Sequence, residues 1–131
     1  IDLDTIMPGF SIFDYGDSIR FGANTAEEDE RDLSKVSLSL PLFEVYTKGF
    51  LEGSEGRLTE TELKMLPYGA KMMTLECGMR FLTDHLQGDV YFHTSREGHN
   101  LDRCRTQFAL VADMESKWTQ MEEIVKKYQG S

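Results

Sequence analysis

The chain reads as mainly α-helical. Apolar residues recur at three- and four-residue steps across residues 60–86 and 100–128, helix-opening S/T-x-x-D/E signatures stand at Ser11 and Thr59, and Gly or Pro punctuates the intervals. Strand-like alternation is confined to short stretches, so one or two short strands are the most that the pattern allows.

Taken in order, Ile1-Asp2-Leu3-Asp4 reads as a short strand and Met7-Pro8-Gly9 as a turn. Ser11 and Asp14 form a capping box with Phe10 as its hydrophobic staple, predicting a helix from about Ile12 to Phe21. The acidic run AEEDERD (26–32) is a solvated surface segment. KVSLSL (35–40) is a short strand or an extended lead-in, and Pro41 stands near the start of a helix that Gly53 is expected to stop. Thr59-x-x-Glu62 opens a long apolar region through about Leu86, which Pro67 must break or kink because it lacks an N–H. Within it, Leu63, Leu66, Ala70, Met73 and Cys77 form one stripe, and Met65, Tyr68, Met72, Leu75, Met79, Leu82 and Leu86 a second. A helix apolar on two faces is expected at the centre, with neighbours on both sides. Gly88 ends it, DVYFH (89–93) is a short extended piece, and Asn100 is expected to cap one long helix running to Tyr128.

The 131 residues bound the chain to a single domain, 1–131, with enough apolar content for a core. Twenty-three acids against 14 bases give a net charge of −9, which argues against nucleic acid or an anionic membrane as a partner. No apolar run approaches the ~18 residues of a membrane span. Cys77 and Cys104, 27 residues apart without a CxxC, read as buried reduced thiols of a cytoplasmic protein, with a disulfide as the other option. His85, His93 and His99 lack the spacing of a zinc site. Ile1 falls inside a β-like IDL, so the sequence is expected to be part of a longer chain.

The chemistry concentrates in the opening. Asp2 and Asp4 are strand-end acids among apolar residues, where a carboxylate calls for a hydrogen bond, a partner or a cation. They allow three readings. One is plain strand-end acids with Asp14 as a capping residue. Another is a D-x-D-x-T phosphatase motif, which Ile6 breaks by standing where the Thr belongs.

The third rests on resemblance. I-D-x-D, a turn with Gly, and Phe13-Asp14 twelve residues after the first acid resemble the end of the active site in aminoglycoside-phosphotransferase and choline-kinase-like enzymes of the protein-kinase-like fold. IDLDTIMPGFSIFDYGDSIRFGANTAEEDERDLSKV, with GMRFLTDHLQGDVYFHT further on, is similar to the N-acetylhexosamine 1-kinase branch, and the likeness covers essentially the whole chain.

That resemblance implies a C-terminal helical, substrate-binding lobe of a kinase moving the γ-phosphoryl of ATP to the anomeric hydroxyl of an N-acetylhexosamine. It implies Asp2 as a ligand of the Mg²⁺ that holds the nucleotide phosphates, with Asp4 as a second oxygen donor. It implies Asp14 as a buried support of the catalytic loop, and Arg80 and Tyr91 as sugar-binding residues, by guanidinium fork and by ring and hydroxyl. Asp14-Tyr15-Gly16 imitates D-F-G but opens a helix, so it is a decoy. The glycine-rich loop, nucleotide lysine and H-x-D…N loop of the family precede the IDLD strand, so these 131 residues alone are expected to be inactive, with the catalytic base upstream of Ile1. Another small acceptor (aminoglycoside, choline or homoserine) and a non-catalytic helical interaction module are the alternatives. Self-association through a surface left uncovered is a further expectation.

Overall fold

A computed structural model describes residues 12–54 and 57–128, and these are mainly helical. Helix α1 (Ile12–Gly22) buries Tyr15, Gly16 and Ile19, which fall on one face at helical spacing. The Tyr15 hydroxyl and Thr47 Oγ1 share a buried hydrogen bond of 2.7 Å, and burial pushes the phenol well above its ordinary range. The expected strand and turn at residues 1–9, and Ser11 of the capping box, lie outside the described residues.

Between α1 and α2 the chain makes a strap. Its arms are joined by Thr25 N–H to Ser37 O (2.9 Å) and Ser39 N–H to Ala23 O (2.7 Å) around one antiparallel bridge, Asn24 with Leu38. KVSLSL is therefore the extended lead-in, and among the described residues pairing stops at that bridge. Asp113 Oδ2 accepts the Leu38 N–H at 2.6 Å and the Lys117 ammonium at 2.7 Å, and Lys117 also donates to Leu38 O at 2.9 Å. Helix α2 (Leu40–Ser54) carries Pro41 in its first turn, where a missing N–H costs nothing. Gly53 does not stop it. The Ser54 carbonyl is capped by both the backbone N–H and the Nε of Arg57 at 3.0 Å, so the last turn closes one residue later.

Helix α3 (Glu60–Lys64) has the full capping box: Glu62 N–H donates to Thr59 Oγ1 at 3.1 Å and Thr59 N–H to Glu62 Oε1 at 2.8 Å. Pro67 makes the expected break. Met65 ends α3 and begins α4 (Leu66–Leu86), with Pro67 in the new first turn. Helix α4 is central, with α1 and α5 (His99–Ser116) packed along it. Gly16 and Gly69 let α1 and α4 touch through backbone: a Cβ on Gly16 would run into Gly69 O, and one on Gly69 would stand 2.5 Å from Ile12 Cγ2. The second apolar stripe is not covered as expected. Leu75 and Leu82 are half-buried, but Met65, Tyr68, Met72, Met79 and Leu86 are exposed. Tyr68 of that face meets the Trp118 ring, with centres 5.0 Å apart, while Met72, Met79 and Leu86 stay exposed.

Two expectations for the last region are corrected. Asn100 is not a cap, because α5 begins at His99 after Gly98 in the left-handed region (φ 74°), and the Asn100 side chain is buried and engaged elsewhere. The single long helix is two: α5 ends at Ser116 and α6 (Trp118–Tyr128) follows. The break at Lys117 coincides with one local and one distant side-chain contact. Ser116 Oγ donates to Asp113 O at 2.7 Å, while the Lys117 side chain is drawn to the strap. The expected extended piece at 89–93 is irregular loop. Cys77 is half-buried, Cys104 is buried, and both are free thiols. None of the described helices is long and apolar enough to cross a membrane.

The core joins Ile19, Leu38, Phe43, Leu66, Leu110, Met114 and Met121 from the strap and from α1, α2, α4, α5 and α6, each no more than 2% exposed. Replacing Gly16 by Ala is expected to force α1 from α4 and cost about 1–3 kcal/mol. Thr59→Ala, which only deletes a cap, is expected to cost about 1 kcal/mol. Urea unfolding followed by circular dichroism measures both, and Gly16→Ala must be the more damaging of the two.

Candidate functional site

The site is organised by a carboxylate at the end of α4. Asp84 lies on the face that carries Ala70, Thr74 and Phe81, and is only 3% exposed. Its oxygens accept the Tyr91 N–H (2.7 Å), the Phe92 N–H (3.0 Å) and Asn100 Nδ2 (2.7 Å). Its backbone carbonyl takes the Asp89 N–H at 2.8 Å. Asn100 closes the arrangement from α5, donating also to Asp89 Oδ1 at 3.0 Å and accepting from Arg103 Nη1 at 3.0 Å. Gly88 at φ 95° lets the chain reverse immediately after the helix. Burial alone would raise the Asp84 carboxyl, but the Phe92 and Tyr91 N–H groups and the Asn100 amide together outweigh it, and the net direction is down.

This clamp brings together two of the residues singled out from sequence. Arg80, one turn before Asp84, places its guanidinium carbon 5.8 Å from the Tyr91 ring centre and 5.9 Å from that of Phe92. Phe92 in turn packs on Phe81 with ring centres 4.7 Å apart. Arg80 and Tyr91 are both exposed, so neither is consumed by the core.

Beside them a cleft of about 420 Å³ opens between α1, α4, α5 and the 87–98 loop. Arg20 spans one wall, bound to Asp17 Oδ1 at 2.9 Å and Glu28 Oε2 at 2.8 Å. Arg103 spans another, donating to His93 O at 2.9 Å and lying over the Phe81 ring at 5.5 Å. Arg80, Glu76, Met73, Phe92 and Cys77 also line it. Burial pushes the Cys77 thiol up, so it stays protonated and is no nucleophile at neutral pH. Guanidinium donors, carboxylate acceptors and aromatic faces around one space suit a compact ligand carrying several hydroxyl or amide groups.

The other sequence-derived residues stand apart from this cleft. Asp2 and Asp4 lie outside the described residues. Asp14 is exposed in the first turn of α1, where a negative charge suits the helix N-terminus, and the loop it is expected to support is not among the described residues. Among the described residues no group of three His, Cys, Asp or Glu side chains could hold a metal ion. Sequence reading passed over Asp84, Arg20, Glu28 and Arg103 and took Asn100 for a helix cap. Only Asp84 left a signal: an acid on the buried face of an apolar helix, four residues before Gly88. No protein-family model matches the chain.

Because the Asp84 carboxyl lies below its ordinary 3.8 in the fold, the unfolded chain takes up its proton first as pH falls. The stabilisation is complete above the ordinary value and is lost as pH falls from there through the lower value of the folded state. Asp84→Asn keeps the shape but turns an N–H₂ toward either the Tyr91 N–H or the Phe92 and Asn100 donors. At neutral pH the variant is expected to melt several degrees below the parent, and in melts taken down to about pH 3 the gap should narrow. A gap independent of pH would sink the assignment of charge to this carboxylate.

Proposed function

We propose that this chain is the acceptor-binding helical lobe of an ATP-dependent sugar kinase that phosphorylates the anomeric hydroxyl of an N-acetylhexosamine. The observation that carries the reading is the contact of Arg80 with the Tyr91 ring, where Arg80 and Phe92 line both the cleft of about 420 Å³ and an adjoining hollow of about 310 Å³ that Tyr91 borders. Arg80 and Tyr91 both belong to the GMRFLTDHLQGDVYFHT segment that carries the resemblance, eleven residues apart, one on α4 and one in the loop after it.

In this reading Arg80 donates to sugar hydroxyls or to the acetamido oxygen, Tyr91 supplies a ring face, and the Asp84 clamp sets the distance between them. Asp17, Glu28 and Glu76 accept hydroxyl protons in hydrogen bonds across the cleft. Specificity follows from polar groups that a wrong ligand leaves unmatched. Magnesium and ATP belong to the reading through Asp2 and Asp4, which lie outside the described residues, and no step is derived through them.

The test is a coupled ADP-release assay on the full-length protein with Mg·ATP and, separately, N-acetylglucosamine, N-acetylgalactosamine, an aminoglycoside and choline. The hexosamines are expected to turn over and to yield the sugar 1-phosphate. Arg80→Ala, at an exposed position, is expected to raise the sugar KM at least about tenfold while leaving the melting temperature unchanged, the loss of one or two charge-assisted hydrogen bonds. Turnover with choline or the aminoglycoside and none with either hexosamine would overturn the acceptor assignment.

A further inference from the structure

On the far side of the Arg20–Glu28 pair lies a second cleft, of about 430 Å³, between α1, the acidic stretch of the strap and α5. That volume falls within the ~300–1,000 Å³ of small-molecule sites. Arg20, Glu28 and Arg103 are its shared wall with the first cleft. We propose that this second cleft is a binding site for a neutral, hydroxyl-rich ring of monosaccharide size, distinct from the acceptor cleft.

Most of the charges of the cleft are paired within the protein. Arg20 is held by Asp17 and Glu28, and Asp29 Oδ2 lies 2.8 Å from His99 Nε2. His99 Nδ1 accepts the Ser95 N–H at 3.2 Å, which leaves Nε2 as the protonated nitrogen facing Asp29. Glu27 also lines the cleft, so acids outnumber the arginines there and an anion is not called for, while Arg20, Arg103 and His99 engage Glu28 and Asp29. The carboxylates keep lone pairs for O–H donors.

Two side chains ask for a ligand of this kind. Gln107 is 1% exposed, contributes to the lining, and its Oε1 has no hydrogen-bond donor among the described residues. A buried acceptor left unmatched is costly, and an O–H reaching it from the cleft recovers that cost. Asn24 uses its Oδ1 to accept the Ala26 N–H at 3.0 Å, so its N–H₂ remains the donor it can offer. At the rim, Phe21 is 71% exposed, an apolar face against which the C–H side of a sugar ring packs. One donor, one unsatisfied acceptor, carboxylates with free lone pairs and an aromatic platform define the ligand class.

The test is an isotope-edited NMR titration of the 131-residue chain, following the side-chain amide signals of Asn24 and Gln107. The probes are glucose, N-acetylglucosamine, inorganic phosphate and ethanolamine. Saturable shifts of both amides are expected with at least one of the two sugars and with neither ion. Phe21→Ala, at the open side, should weaken the response about tenfold or more without lowering the melting temperature, and Asn24→Ala should weaken it as much with a small fall in melting temperature from the lost acceptor of the Ala26 N–H. Gln107→Met should raise the melting temperature, by removing an unmatched acceptor, and abolish the response. Arg80→Ala should leave it intact.

Silence from both sugars, an equal response to phosphate or ethanolamine, or shifts indifferent to the Phe21 and Asn24 variants would each overturn the proposal. Should Gln107→Met fail to fold, those two variants decide. A response at Asn24 and Gln107 without one at Arg80 and Tyr91 would sink the acceptor-cleft reading and leave this one standing. The opposite pattern would do the reverse.

Discussion

A single buried carboxylate sets the geometry on which the candidate site rests. Asp84 is worth burying because its hydrogen-bonding capacity is filled from three directions: two consecutive backbone N–H groups and a side-chain amide from the next helix. That arrangement fixes where the loop after α4 begins to climb, hence where Tyr91 and Phe92 sit relative to Arg80. It also ties the end of α4 to the start of α5 at the point where the two helices diverge from their shared packing. The glycine contact at the other end of α4 acts on the same helix from the opposite side, holding α1 by backbone approach. Between them, α4 is placed at both ends by groups that tolerate little substitution.

The two clefts are consequences of how charge is partitioned around that helix. Arg20 and Arg103 are long cations with stems lying against apolar surface and heads engaged with acids or carbonyls. They form a polar wall inside a chain whose net charge is strongly negative. Each side of the wall offers donors and acceptors already oriented by mutual bonding, so a ligand meets groups whose freedom has been restricted beforehand.

What could be read from the sequence was what is local. The helix over 12–22, the Thr59 capping box and the Pro67 break depend on residues within four positions of one another, and each is where the sequence placed it. The misjudged features depend on distant partners. Lys117, at the break in the last helix, reaches a carbonyl 79 residues away. Asn100 looks like a cap until Asp84, 16 residues earlier, is seen to need its amide. The exposed row on α4 from Met65 to Leu86 was taken for buried because periodicity shows that a face is apolar and not whether anything covers it. Arg80 and Tyr91 came from resemblance, while the wall residues Arg20, Glu28 and Arg103 left no pattern at all.

The Asp113 junction with Leu38 and Lys117 carries a further consequence, for the order in which the molecule assembles. It joins positions 75 residues apart, whereas α4 and α5 are neighbours across a short loop. Ring-closure entropy grows with the length of chain enclosed, so the α4–α5 hairpin is the early, inexpensive nucleus and the strap is latched late. A latch closed last is also the first to open in native fluctuations. Residues 24–38 are thus the stretch where backbone amides should exchange soonest and where a protease should first find purchase, well before the helices on either side give way.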